Sequence, residues 1–433
     1  METVINIKLW GENVAAVAWN QEKEYATIEF YNSFAKNNWD IAPLQMPINN
    51  ILRGERVFSF PANRSKTFKG LPALLADSLP DDYGNSVIDE WFASKYMSVE
   101  ITPLDRLCYI GNRGMGAMEF EPANSDKLLN ESSILEIKEL TKLTREILNK
   151  RTAFQTNIRN NNKGIFDILR IGTSAGGAKP KAIIAYNEIT GEVRSGQVQA
   201  PEDFTYWLLK FDGIEGEKIK DNPLGIGKIE YAYYKMAIDC GIKMSDCRLL
   251  KEGNKAHFMT KRFDRTEKGE KIHAQTLCAI GNFDRYERFS YEQIFQVMRQ
   301  MKLPYSEFEQ MYRRMVFNVI SRNHDDHTKN HSFLMDKNGK WTLAPAYDIC
   351  YSYSKSGKWT NKHQLSLNSK RENFNMQDLL TVAKKQNIKN AKKIIEQILY
   401  IVSQWSNYAY KYKVKNEFIK IIEENLILKL GKF

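Results

Sequence analysis

Apolar and polar positions alternate in three short runs near the start of the chain: Val4 to Trp10, Ala15 to Trp19 and Thr27 to Phe30. This period of two marks strands with one face in a core. Helical spacing follows near Leu71 to Leu79 and Asn85 to Phe92, and again from Ile134 to Leu148. Ala182 to Tyr186, Phe204 to Leu209 and a run opening at His257 read as strands. A helical pattern from Ile229 to Cys240, closed by Gly241, lies between the last two. Further on, Phe308, Met311, Tyr312, Met315, Val316, Val319 and Ile320 recur at helical spacing, and Ser306 to Glu309 reads as the capping box that starts them. His331 to Met335 and Trp341 to Ala344, around a turn at Asp336 to Lys340, predict a hairpin. Ala391 to Tyr412 reads as helical throughout.

This order predicts an α+β chain in three parts: a small strand-rich N-terminal domain at residues 1–122, a mixed part at 123–258 and a mainly helical part at 259–433. No Pro-rich or Ser-rich linker divides them, so they are expected to pack together, and no internal repeat is present.

The candidate chemistry is concentrated in Asn323-His324-Asp325-Asp326-His327-Thr328-Lys329-Asn330, with Asp348 further on in Ala344-Pro345-Ala346-Tyr347-Asp348. Kinases use an Asp to accept the acceptor hydroxyl's proton, an Asn five residues later to hold magnesium, and a second Asp to hold magnesium against the nucleotide phosphates. Asp325, Asn330 and Asp348 fit those three places. Magnesium suits them because it takes hard oxygen ligands and keeps several waters. A polar loop that only ends a helix uses the same residue types. Zinc on His324, His327 and His331 is a rival reading, although no Cys lies nearby and no His-Glu-x-x-His helix is present.

A phosphate-covering loop has a candidate upstream in Gly172-Thr173-Ser174-Ala175-Gly176-Gly177-Ala178-Lys179-Pro180-Lys181. Glycines let backbone N–H groups approach phosphate oxygens. Pro180 and the apolar run after it point to a following strand, which excludes a Walker loop and its helix. Lys210, at the end of a strand, is placed to meet phosphates, and Glu230 on the next helix to pair with it. The backbone of Thr260, Lys261 and Arg262 is expected to serve as a hinge against an adenine edge, or else to belong to an ordinary edge strand.

Taken together, the glycine loop, Lys261-Arg262-Phe263-Asp264-Arg265, the Asp325 to Asn330 loop and Ala344 to Asp348 resemble the HipA family of bacterial serine/threonine kinase toxins. Ala73 to Asp81 resembles the family's N-terminal signature, and Ile110 to Ala117 the segment joining it to the core, so the likeness spans residues 1 to about 430. The resemblance implies a two-lobed protein-kinase-like core behind an accessory domain, using ATP and Mg2+. It makes Asp325 the base and Asn330 and Asp348 the metal ligands. Nucleotide binding falls to Gly176, Gly177, Ala178, Lys179, Pro180, Lys181 and Lys210, with Glu230 and the hinge residues in support. Ser174 would be the autophosphorylated serine that silences the enzyme. The implied partners are a HipB-like DNA-binding antitoxin, which would carry the chain to DNA, and an aminoacyl-tRNA synthetase as substrate. Asp326 stands where the family commonly has a small residue, which leaves open which carboxylate takes the proton. A silent co-repressor and a small-molecule kinase are the alternatives.

Charge and cysteine content change the picture little. The net charge of +11 and the lysines at 384, 385, 389, 392, 393, 411, 413 and 415 suit either a polyanion or a solvated helix face. Five scattered cysteines without Cys-x2-Cys pairs predict a reducing cytoplasm. Met1-Glu2-Thr3-Val4 opens without a charged region before an apolar core, and no apolar stretch reaches about 18 residues, so neither secretion nor membrane spanning is expected.

Overall fold

The computed structural model describes residues 3–80, 84–85, 88–89, 92, 101–123, 132–149, 180–214 and 223–431. The N-terminal sheet holds β1 (Val4–Leu9), β2 (Glu12–Asn20), β3 (Tyr25–Phe30), β4 (Val57–Ser59) and β5 (Met118–Glu121) in the antiparallel order β4-β3-β2-β1-β5. Ile5, Ile7 and Leu9 fall on its buried face, as the alternation requires. Two short helices, α1 (Ile48–Leu52) and α2 (Ala73–Ala76), and α3 (Pro103–Ile110) belong to this part. The expected helix at Leu71 to Leu79 thus shrinks to α2, and the one at Asn85 to Phe92 is helical at its described positions 85, 88, 89 and 92.

After α4 (Ile137–Asn149) comes a second antiparallel sheet in the order β7-β6-β8-β10-β9. Its strands are β6 (Lys181–Tyr186), β7 (Val193–Ser195), β8 (Thr205–Lys210), β9 (Cys247–Glu252) and β10 (Lys255–Lys261). Helix α5 (Ile226–Asp239) packs on β10. β10 runs through residue 258, so the sheet ends at Lys261. The helical part follows, with α6 (Leu277–Gly281), α7 (Tyr291–Gln300), α8 (Tyr305–Ile320), α9 (Met376–Lys385), α10 (Ala391–Ser403), α11 (Trp405–Lys411) and α12 (Asn416–Asn425). A small sheet of β11 (His273–Thr276), β12 (Ser332–Met335) and β13 (Trp341–Leu343) includes the expected hairpin.

Two helical boundaries differ from expectation. α8 starts at Tyr305 behind Pro304, whose extended backbone already directs the chain into the helix, and no side chain caps it, so the Ser306 to Glu309 box does not form. Capping boxes do form at Thr102–Asp105, Ser290–Gln293 and Asn375–Asp378. The stretch from Ala391 breaks at Gln404, and the break seats Trp405 in the core, where its Nε1 donates to the Ile419 carbonyl at 3.1 Å.

The N-terminal sheet and the helical part share one continuous apolar core that runs from Ile7 to Met315 and Ile395. Polar ties reinforce it. Asp77 accepts from the Thr276 N–H at 2.7 Å and from its hydroxyl at 2.6 Å, at the N-terminus of α6. Trp10, Trp39 and Trp341 each donate an indole N–H across the same boundary, to the Lys271, Lys337 and Asp40 carbonyls.

The tightest tie is Asp264, which is fully buried. Its carboxylate accepts from Arg262 at 2.8 and 2.7 Å, from Arg265 at 2.9 Å and from the Gly116 N–H at 2.7 Å. Arg265 also donates to the Gly114 and Gly116 carbonyls. Gly116 takes a positive φ of 74°, and a Cβ there would press on the Ala274 backbone at 3.1 Å. Burial alone would raise the Asp264 pKa, but the two guanidinium groups hold it well below the usual carboxylate range. Asp264→Ala would leave two buried arginines uncompensated, so a loss of about 3–5 kcal/mol is expected in a urea or guanidinium unfolding curve. A loss below about 1 kcal/mol would show that the cluster does not hold the segment in place.

Candidate active site

Helix α8 delivers the loop. Its buried face of Met311, Met315, Val316, Val319 and Ile320 fixes its position, and the chain turns at Arg322 with a φ of 60°. Asn323 donates from its side chain to Asn318 on α8 at 2.9 Å and accepts from Ser352 at 3.0 Å, while Ser352 accepts from the Asp325 N–H at 3.0 Å. His327 caps the turn at residues 328–330 by accepting from the Lys329 N–H at 3.2 Å. The Asn330 amide nitrogen donates to the Asp325 carbonyl at 2.7 Å, which leaves Oδ1 as the end of that amide available to a cation.

The two adjacent carboxylates have opposite environments. The Asp325 side chain is 43% exposed, with an oxygen 3.7 Å from His327 Nε2. Asp326 is buried and accepts from the Tyr291 hydroxyl at 2.8 Å, His363 Nδ1 at 2.9 Å, and the Gln364 and Leu365 N–H groups at 2.8 and 3.3 Å. An acceptor so fully engaged has no room for a hydroxyl, so of the two it is Asp325 that is open to a reacting group.

Opposite the loop, Lys210 closes β8, in register with Lys181 on β6 and Phe258 on β10. Its Nζ lies 2.5 Å from Glu230 Oε1 on α5 and also donates to Asp348. Burial favours loss of the Lys210 proton, but Asp348 and Glu230 outweigh it and hold the ammonium charged far above its ordinary range. Burial would likewise raise the Asp348 pKa, and Lys210 and then Lys181 pull it well down. Asp348 takes a φ of 55° just beyond β13 and keeps its side chain 35% exposed. Burial lowers the His327 pKa while Asp325 and Asp348 both push it up, so both carboxylates act on the same imidazole.

Asp212, two residues after Lys210, sets α5. It accepts from the Gly225 N–H at 2.7 Å, the Gly227 N–H at 3.5 Å and the Ala256 N–H at 3.0 Å. The helix can come this close because residue 227 is glycine, since a Cβ there would meet the Ala256 carbonyl at 2.1 Å. Sequence reasoning missed Asp212. Its one local signal is an Asp-Gly step directly after the strand that carries Lys210.

Two other expectations change. β10 is no edge strand, because β8 and β9 flank it. The Lys261 and Arg262 N–H groups donate to Asp246 and Tyr206 carbonyls, both at 2.8 Å, and Thr260 sits within the ladder. Their N–H groups are therefore spent on the sheet, and the next one, Phe263, has no partner among the described residues. The histidines do not converge as zinc ligands. His324 meets the Thr360 carbonyl, His327 caps its turn, and His331 lies against Tyr291. Asn330, Asp348 and the neighbouring Asp325 are instead hard oxygen donors of the kind magnesium takes. Lys181 opens β6 directly behind Pro180 and both are buried, whereas Gly176, Gly177, Ala178, Lys179 and Ser174 lie outside the described residues.

A five-stranded sheet carrying a lysine, a helix carrying its glutamate and a helical part carrying an Asp-x4-Asn loop make a kinase-like core behind a strand-rich N-terminal domain. The HipA N-terminal domain family matches residues 5–121 and the HipA-like C-terminal domain family matches residues 173–405, so the chain belongs to the HipA family. The fold is similar to HipA in the Shewanella oneidensis MR-1 complex of HipA, HipB and operator DNA, with a TM-score of 0.66 over 97% of this chain and 95% of that one at 14% identity. A putative kinase of Haemophilus influenzae is 30% identical over 102 residues, which is 21% of this chain and only 30% of that relative's length. A Helicobacter pylori proinflammatory kinase, CtkA, aligns with 51% of this chain and 90% of its own at 14% identity, with a TM-score of 0.33.

Burial pushes His273, His324 and His331 down to about 3 from an ordinary 6.5. The unfolded chain takes up their protons near pH 6.5 while the folded chain refuses them until about pH 3, so stability falls as pH drops through that window. Each histidine contributes a slope of about 1.4 kcal/mol per pH unit there. Melting temperature is therefore expected to fall steeply between pH 6.5 and 4.5, and a flat profile would contradict neutral burial of these rings.

Proposed function

We propose that the protein is an ATP- and magnesium-dependent serine/threonine protein kinase acting as a HipA-like toxin. The Lys210 ammonium, bridged to Glu230 and Asp348 beside the open Asp325, carries this reading. A pure scaffold has no need of a buried cation that joins the sheet, a helix and the loop region.

In this reading Lys210 and Lys181 receive the nucleotide phosphates, and the Phe263 N–H, free of the ladder, takes up the hinge role first expected of residues 260–262. Asn330 and Asp348 would hold Mg2+, which when bound neutralises phosphate oxygens and aligns the terminal phosphoryl group. Asp325 takes the proton of an incoming serine or threonine hydroxyl as its oxygen attacks phosphorus, and the bond to the bridging oxygen of ADP breaks. Glu230 keeps Lys210 in place throughout.

The remaining parts follow the family. An aminoacyl-tRNA synthetase is the proposed protein substrate, Ser174 the autophosphorylated residue and a HipB-like antitoxin the partner that brings the chain to DNA. The Shewanella relative was solved with HipB and operator DNA, which supports that partner. The free cysteines suit a reducing cytoplasm, and no described helix is long and apolar enough to cross a membrane.

Intact mass after incubation with ATP and magnesium tests the proposal. The wild type is expected to gain phosphate on Ser174, and Asp325→Asn to lose transfer by about 10²–10⁴-fold with stability within about 0.5 kcal/mol of wild type. Ser174→Ala should end self-labelling and leave transfer to other proteins intact. Nucleotide binding with no transfer to any hydroxyl, in protein not already phosphorylated, would replace the kinase by a silent co-repressor.

A further inference from the structure

Between Ile349 and Asn375 the chain forms only turns and isolated bridges. It nevertheless runs against the catalytic loop in a defined place. Gln364 N–H donates to the His324 carbonyl at 3.2 Å, His324 Nδ1 meets the Thr360 carbonyl at 3.0 Å, and Ser366 bridges to Ser290. The exposed face of this segment carries Trp359, 50% accessible, with Lys358 against its ring and Tyr286 beside it at 6.1 Å. The same segment also reaches Asp325 itself, whose N–H donates to Ser352 Oγ at 3.0 Å.

What fixes the segment is the Asp326 side chain. It is an acceptor only, so His363 must present Nδ1 as an N–H, and two consecutive backbone amides, Gln364 and Leu365, complete the set with the Tyr291 hydroxyl. Tyr291 accepts from Asn318, and Asn318 from Asn323. A buried chain of hydrogen bonds therefore runs from α8 through α7 to the segment, and the Asp326 carboxylate is its charged link between loop and segment. Because residue 326 adjoins Asp325 in the backbone, displacement of its carboxylate carries the reactive one with it.

We propose that Asp326 is a positioning residue that fixes the 359–367 segment as a wall of the acceptor site beside Asp325, so that its loss impairs transfer to a protein hydroxyl without weakening nucleotide binding. This rests on the kinase reading above.

The test uses the full chain, a degenerate serine/threonine peptide pool as acceptor, magnesium with ATP as donor, and hydrogen–deuterium exchange. Asp326→Ala is expected to lower kcat/KM for the peptides about 100-fold, the scale of a misplaced reacting group, with ATP affinity within about twofold of wild type and faster exchange at Gln364 and Leu365. Asp326→Asn keeps an oxygen for those two amides and should recover most of the loss. His363→Phe removes one donor while filling the ring's space, and serves if the alanine variant fails to fold. It should show the same exchange signature with a smaller loss. Unchanged exchange at Gln364 and Leu365, or faster exchange with unchanged transfer, would overturn the positioning role, as would ATP affinity falling in step with transfer. A wild type that passes no phosphate to any peptide, while these amides still respond, overturns the kinase reading and the positioning role but leaves the clamp standing as architecture.

Discussion

One buried cation organises the site. Lys210 comes from the second sheet, Glu230 from the helix packed on that sheet and Asp348 from the segment beyond β13, so three independent pieces of chain meet at one ammonium. Two carboxylates around a single lysine would be overcharged, and Lys181, in register on the next strand, acts on Asp348 as the second positive charge. Two lysines and two carboxylates balance in a place where an unpaired charge would be costly. Removal of any one leaves a buried charge without its counterpart, which is why the geometry of the whole pocket depends on this cluster.

Both sides of that cluster are held from further out. Asp212 caps α5 and so sets the depth of Glu230, through contacts that only a glycine at 227 permits. At the far end of β10, Asp264 gathers Arg262, Arg265 and the Gly114–Gly116 backbone, which ties the N-terminal domain to the end of the same sheet. The shared apolar core and the Asp77 contact with α6 make the tie extensive. The N-terminal domain is therefore part of the frame that sets the relation between sheet and helical part, which gives a physical reason for its place in the fold beyond any partner it meets.

Some of this was legible in the sequence and some was not, for identifiable reasons. Lys210, Glu230 and Asp348, which the structure brings together, could be picked out because Lys210 closes a patterned strand, Glu230 lies in a patterned helix and Asp348 follows a patterned hairpin. The failed edge-strand alternative for β10 arose because β9 carries no clean alternation: Cys247 is buried, Leu249 and Leu250 only partly so, and Lys251 exposed, so its pairing on the outer side of β10 was hidden. The Ser306 box failed because a proline just ahead of it had already set the helix entry. The Asp264 cluster joins residues about 150 positions apart, and no local pattern reports that.

The pair Asp325–Asp326 shows the same limit within two residues. Spacing to Asn330 favours the first, but only distant partners explain the second: Tyr291 lies 35 residues before it and His363 37 residues after it. A carboxylate that is to take a proton has to remain open and weakly engaged, and an open side chain on a loop is poorly positioned by its own contacts. Rigid placement must then come from the backbone on either side. Asn330 and Ser352 hold Asp325's own carbonyl and N–H, and a neighbouring carboxylate that is buried and fully hydrogen-bonded anchors the next peptide unit. The two acids are thus one arrangement in which reactivity and rigidity, which conflict in a single side chain, are divided between adjacent residues.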